Sequence, residues 1–196
     1  MIAKIFCIGL ALLAGAMFPP AAVRAAAPKV LVAYFSRAGE NYHVGYIRKG
    51  NTEIVAEMIA QKTGGDLFHI ESVSGYPAGY EDAKTVARAE RKSGARPALT
   101  NTVPDFASYD VIYLGYPIWS ASMPMPVYTF LESYDFSGKT VIPFCTHEGS
   151  GLTSTPDKIR AAIPTANVLP GLAIRGTTAQ QDRAETERMV DEFLKQ

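Results

Sequence analysis

Val30-Leu31-Val32-Ala33-Tyr34-Phe35 is an unbroken apolar run that stops at Ser36-Arg37-Ala38-Gly39. Successive side chains of a strand point to opposite faces, so a run without polar alternation requires cover on both faces. Downstream, Ile54, Val55, Met58 and Ile59 recur at helical spacing, which predicts a helix over about Thr52 to Lys62. Gly64-Gly65 closes it, because glycine accepts the left-handed conformation of a helix C-terminus. Strand and helix are joined by Ser36-Arg37-Ala38-Gly39, the stretch Glu40 to Lys49, and Gly50-Asn51-Thr52. Without that middle stretch the join is a short Ser/Gly/Asn/Thr turn. It would offer hydroxyls and free N–H groups to an anion at the helix N-terminus. A phosphate monoester suits such a turn and needs no lysine. The Gly-Lys-Ser/Thr ending of a P-loop is missing, and so is a G-x-G-x-x-G dinucleotide fingerprint. The plainer alternative is that Asn51 and Thr52 only cap the helix.

Outward from this unit, apolar runs keep alternating with amphipathic stretches. Leu67 to Glu71 predicts a second strand and Tyr80 to Ser93 a charged, alanine-rich helix, whose Arg88, Arg91 and Lys92 read as a solvated face. Val111 to Gly115 predicts a third strand. Val127, Phe130, Leu131 and Tyr134 mark the next helix, entered through Pro124 and Pro126. Thr140 to Cys145 predicts a fourth strand, although Pro143 cannot donate to a ladder. Thr155-Pro156 starts a helix that runs to about Ile163. Asn167 to Arg175 predicts a fifth strand, and its Pro170-Gly171 interruption favours an edge position. A last helix, about Gln180 to Lys195, turns Val190, Phe193 and Leu194 inward. This alternation implies an α/β fold with a five-stranded parallel sheet, and right-handed crossovers put helices on both faces.

Ligands of open parallel sheets bind beyond the carboxyl ends of the strands. The turn after the third strand is Gly115-Tyr116-Pro117-Ile118-Trp119-Ser120, with the chain's only tryptophan. A flat aromatic there can stack on a flat ring, although a lone tryptophan is more often core. The turn after the fourth strand is Thr146-His147-Glu148-Gly149-Ser150-Gly151. Its glycines allow close backbone approach, and Thr146 and Ser150 add hydroxyls. His147 beside Glu148 suggests acid–base work, or two ordinary polar loop residues. The histidines lack metal-ligand spacing, so no metal site is expected.

With its Tyr34-Phe35-Ser36-Arg37 start and its Thr146-His147-Glu148-Gly149-Ser150-Gly151 loop, the chain resembles the flavodoxins and their bacterial flavodoxin-like relatives over about Val30 to Phe193. The resemblance implies a three-layer sandwich with strand order 2-1-3-4-5, and FMN as cofactor. It assigns Ser36, Arg37, Asn51 and Thr52 to the phosphate loop, with Gly50 letting the backbone turn. It assigns Pro117, Ile118 and Trp119 to one side of the isoalloxazine, with Trp119 stacking. Thr146, His147, Glu148, Gly149 and Ser150 go to the other side. Three departures stand out. The stretch Glu40 to Lys49 is absent from short-chain flavodoxins and would fold over the cofactor, with Tyr42 or Tyr46 near the ring. Ser120 replaces a glycine that flips in some flavodoxins, and a serine is more strained at positive φ. Many flavodoxins are acidic, and this chain is not.

The chain of 196 residues opens with Lys4, an apolar stretch from Ile5 to Phe18, and small-x-small sites at Val23-Arg24-Ala25 and Ala25-Ala26-Ala27. That is the layout of a secretory signal peptide over residues 1–27, leaving one domain from 28 to 196. The alternative is a membrane anchor, but the run falls short of the roughly 20 residues a spanning helix needs. An exported protein, periplasmic or secreted, follows. Removing Lys4 and Arg24 from the 19 basic residues leaves 17 against 19 acidic ones, a net charge of −2. That argues against a nucleic-acid partner. Cys145 is then the lone cysteine, read as a small core residue. Three functions remain: an electron carrier between redox partner proteins, an FMN-dependent flavin or quinone reductase using a nicotinamide, and a non-redox binding protein. Arg37, the one cation expected in the site, would serve the phosphate. Little positive charge near the ring would disfavour an anionic reduced flavin.

Overall fold

The computed structural model describes residues 27–195; the leader read from the sequence otherwise lies outside the described residues. In chain order the elements are β1 (Val30–Tyr34), β2 (Gly39–Asn41), β3 (Gly45–Ile47), α1 (Asn51–Thr63), β4 (Asp66–His69) and α2 (Tyr80–Ser93). After a short 3-10 turn at Phe106–Ser108 follow β5 (Val111–Pro117), α3 (Met125–Glu132), β6 (Thr140–His147), α4 (Thr155–Ala162), β7 (Asn167–Val168), β8 (Leu172–Arg175), α5 (Gly176–Gln181) and α6 (Arg183–Phe193). The main sheet runs β4-β1-β5-β6, with β7 and β8 both on the outer side of β6, and every pairing in it is parallel. With β7 and β8 taken as one interrupted fifth strand, the order is 2-1-3-4-5. The stretch Glu40 to Lys49 makes most of a separate antiparallel hairpin, β2-β3.

Two of the awkward prolines explain each other. Leu169 N–H donates to Val141 O at 2.9–3.0 Å range typical of a ladder, here 3.0 Å, so odd-numbered residues of β6 direct their backbone groups to the outer edge. A Cβ on Gly171 would come within 2.5 Å of Pro143 O, which places that carbonyl on the same side. β7 pairs Thr140 and Val141, and β8 resumes at Phe144. The missing N–H of Pro143 therefore falls opposite the break at Pro170-Gly171, where no strand asks for it.

Alternation along the strands sorts the core into two layers. Leu31, Ala33 and Phe35 join Ile112, Leu114, Val127, Phe130 and Ile159 on the α3–α4 face. Val32 and Tyr34 join Val55, Ile59, Ile174, Val190 and Phe193 on the α1–α5–α6 face. Full burial of each such side chain stabilises by about 1.5–3 kcal/mol. Cys145 is buried, and burial pushes its thiol up to about 12, as a core residue would show. The single terminal helix expected over Gln180 to Lys195 is instead two, broken at Asp182. The Asp182 carboxylate accepts from Glu185 N–H at 3.0 Å and caps α6, a local bond that competes with helix continuation. β5 and β6 each run two residues further than expected, so Pro117, Thr146 and His147 sit on strand ends.

Candidate functional site

The carboxyl ends of β1, β5 and β6 meet above α1. Ser36 is buried, and its Oγ accepts from Glu53 N–H at 3.1 Å, which caps α1 from the preceding strand. Gly50 is required there by space: a Cβ would lie 2.1 Å from Ser36 Oγ. The N–H groups of Asn51 and Thr52 lie in the first turn of α1 and have no intrahelical acceptor. Thr52 Oγ1 and Thr146 Oγ1 are 2.8 Å apart and buried, so one hydrogen bond couples the first loop to β6. Asn51 Oδ1 accepts from Gln180 Nε2 at 2.9 Å, which fixes its amide over Gly176.

Arg37 departs from a free phosphate ligand. Its Nη1 donates to Pro77 O at 2.7 Å and to Ala78 O at 3.0 Å, and its Nη2 donates to Glu40 O. These bonds tie the hairpin and the entry of α2 to the first loop. Its Nε is buried without a partner among the described residues. An unpaired buried donor is costly unless something accepts from it. Burial pulls the Arg37 guanidinium below its ordinary value, and Glu40 opposes that. Arg37 and Asn51 line the same cleft, so the orphan Nε and the free first-turn amides of α1 are the donors available there to an anion such as a phosphate.

The β5 end carries a tight hairpin. Trp119 N–H donates to Ser122 O at 2.8 Å, and Ser122 N–H to Trp119 O at 3.1 Å. Ser120 and Ala121 between them sit at φ of 49° and 58°. Turns of this type favour Asn-Gly, and a non-glycine residue there costs roughly 1–2 kcal/mol. The strain is held in place by cations: Arg91 donates to Ser120 O, and Lys158 to Ala121 O at 3.1 Å. Trp119 is half-buried, edge-on to Phe35 at 5.3 Å and to Tyr76 at 5.1 Å. Ile118 N–H donates to Thr146 O at 2.8 Å and locks this loop to β6.

At the β6 end, His147 Nδ1 accepts from Gly149 N–H at 2.8 Å. That bond requires a lone pair on Nδ1, so the imidazole is neutral with its proton on Nε2. Burial lowers its pKa, Arg175 adds to the effect, and Glu148 opposes it. Glu148 is not free for acid–base work: its carboxylate accepts from Thr177 N–H at 2.8 Å and from Thr177 Oγ1 at 3.2 Å.

Of the residues marked in the sequence, Arg37, Asn51, Pro117, Ile118, Trp119, Thr146, His147 and Glu148 line one cleft. Ser36, Gly50 and Thr52 lie beneath it as the buried frame of the loop. Gly149 and Ser150 are exposed outside the lining. Tyr42 of the hairpin joins the lining, one of the two tyrosines the resemblance had put near the ring. The wall made by Tyr80, Ala83, Lys84, Ala87 and Arg88 of α2 was not anticipated. Arg88 and Arg91 are exposed, as a solvated face would be, yet Arg88 also lines the cleft and Arg91 donates to Ser120 O, so Arg37 is not the only cation at the site. Tyr80, Lys84, Ala87, Arg88 and Arg91 share one face at helical spacing, but a solvated face has the same spacing, so nothing in the sequence singled them out. Tyr42 stacks on Tyr80 at 5.8 Å, whereas Tyr46 points to solvent at 73 % exposure.

A protein-family model described as Flavodoxin matches residues 29–189. No curated protein matches the chain. Among solved structures, a candidate flavoprotein from Bacteroides uniformis is 31 % identical, with 86 % of this chain and 99 % of that one covered at a TM-score of 0.70. One from Bacteroides eggerthii is 28 % identical, covering 86 % and 97 % at 0.69. A flavoprotein in complex with FMN from Lactobacillus acidophilus is 23 % identical, covering 78 % and 95 % at 0.61, a likeness of fold.

Proposed function

The chain belongs to the flavodoxin family, and from that premise we propose that it holds FMN in the cleft beyond β1, β5 and β6 and serves in electron transfer between partner proteins. The observation that carries this reading is the convergence of two complementary ends in one cleft. One end has the first-turn amides of α1 and the orphan Arg37 Nε; the other has the indole of Trp119. FMN in the Lactobacillus acidophilus structure, carried across by fold, supports the choice of cofactor.

Bound FMN supplies the redox chemistry, and the protein sets its position and surroundings. Asn51 and Thr52 N–H and Arg37 Nε would hold the phosphate. Trp119 offers a flat apolar face, braced by Phe35 and Tyr76. His147, neutral, has Nε2–H to donate. Place in the cell rests on the leader-like residues 1–27 alone, and the proposal is an exported, periplasmic or secreted protein.

Purified protein should carry flavin absorbance bands. Trp119→Ala should weaken FMN binding by about 1–3 kcal/mol, from lost burial and stacking; unchanged affinity would remove the indole from the account. A second reading, an FMN-dependent reductase of a small molecule, draws support from Lys84 and Arg88 on the cleft wall. Rapid bleaching on stopped-flow mixing with NADH or NADPH would favour it over the carrier.

A further inference from the structure

α2 is an odd wall for a cleft. Of its 14 residues only Ala83 is buried. Polar ties hold it across the opening instead. At its N-terminal end Arg37 donates to Pro77 O and Ala78 O, and Tyr80 N–H donates to a Glu40 carboxylate oxygen at 3.2 Å. At its C-terminal end Arg91 donates to Ser120 O.

Glu81 and Asp82 in the first turn and Arg91 and Lys92 in the last suit the dipole of this helix, but the charges around Arg88 repel one another. Arg88 has Lys84 four residues before it, Arg91 three after and Lys92 four after. Like charges at these spacings destabilise a helix. Elsewhere the helices do the opposite: Arg160 pairs with Asp157, Arg183 with Glu187, and Arg188 with Glu185 and Glu192. Lys84 has Glu81 at 2.5 Å, but Arg88 has no acidic partner among the described residues. Nearby carboxylates are committed: Glu148 to Thr177, and Glu40 to Tyr80 N–H. Arg88 is exposed and lines the cleft together with the small Ala83 and Ala87 and the stacked Tyr42–Tyr80 pair.

We infer that this wall is a binding site for a small planar organic carboxylate, the substrate or effector that sits beside the flavin. Ala83 and Ala87 leave room for a ring, Tyr42 and Tyr80 give it an aromatic border, and the fork of Arg88 takes the carboxylate. The inference rests on the reading of the cleft as an FMN site. It assigns Arg88 to the second ligand and not to the cofactor phosphate.

The test uses the FMN-loaded protein, with benzoate, benzamide and benzylammonium as probes and the flavin absorbance spectrum as readout. Benzoate should bind at least about tenfold more tightly than benzamide, a difference of about 1.4 kcal/mol, and benzylammonium least. In Arg88→Gln that preference should vanish while FMN affinity stays within about threefold, which is about 0.7 kcal/mol. Tyr42→Ala should weaken benzoate and benzamide alike. Equal binding of benzoate and benzamide to the wild-type protein overturns the inference. So does an Arg88→Gln variant that loses FMN but not riboflavin affinity, because Arg88 would then serve the phosphate. A wild-type protein that takes up no FMN defeats the cofactor reading itself, a separate outcome.

Discussion

α1 and α2 flank the same cleft and are built on different physics. α1 buries Thr52, Val55, Ala56, Met58, Ile59 and Ala60, so the core holds it and its N-terminus meets the ligand. α2 buries Ala83 alone, is held by arginine-to-carbonyl bonds, and meets the ligand with side chains. One helix contributes backbone amides fixed by packing, and the other contributes charge and shape on a lightly anchored frame. A helix packed into the core is expected to be the rigid part of a site, and one held at its ends the adaptable part.

That contrast can be broken first where the core decides it. Ile59→Ala should destabilise the fold by about 2–5 kcal/mol, because Ile59 is fully buried. Ala83→Gly, in the other helix, should cost only about 1 kcal/mol, the propensity difference. Denaturant midpoints check both, and equal costs would erase the distinction. A smaller effect is expected at the hairpin that α2 clamps. Ala121→Gly relieves a positive φ and should stabilise by about 0.5–1 kcal/mol, after the added freedom of glycine in the unfolded chain. A drop in stability would show that the turn is not strained.

The smallest effect is in pH. The pKa of His147 is lowered in the folded protein, so the unfolded chain binds its proton more readily. The stabilisation is present above the ordinary imidazole value of 6.5 and is lost as pH falls below it. His147→Gln should flatten that part of the stability curve, read from melting temperature against pH. An unchanged slope would remove His147 as its source.

The sequence shows what the core dictates. The Val30 to Phe35 run, the Ile54-Val55-Met58-Ile59 stripe and the Pro170-Gly171 interruption all report burial or backbone constraint, and sheet order and edge position agree with them. What escaped was set by tertiary geometry. No pattern says that Arg37 would turn its terminal nitrogens toward Pro77 and Ala78, or that Glu148 would cap α5 through Thr177. Nor could local propensity bring Arg88 to the cleft, because a solvated face and a cleft wall read alike until the hairpin carrying Tyr42 is placed.

Fluorescence titration of FMN and riboflavin, side by side, into the purified domain tests the central claim most directly. Convergence of the α1 amides, Arg37 Nε and Trp119 predicts strong quenching of both flavins, with FMN held more tightly by its phosphate. Flavin fluorescence that stays unchanged through the titration would contradict it.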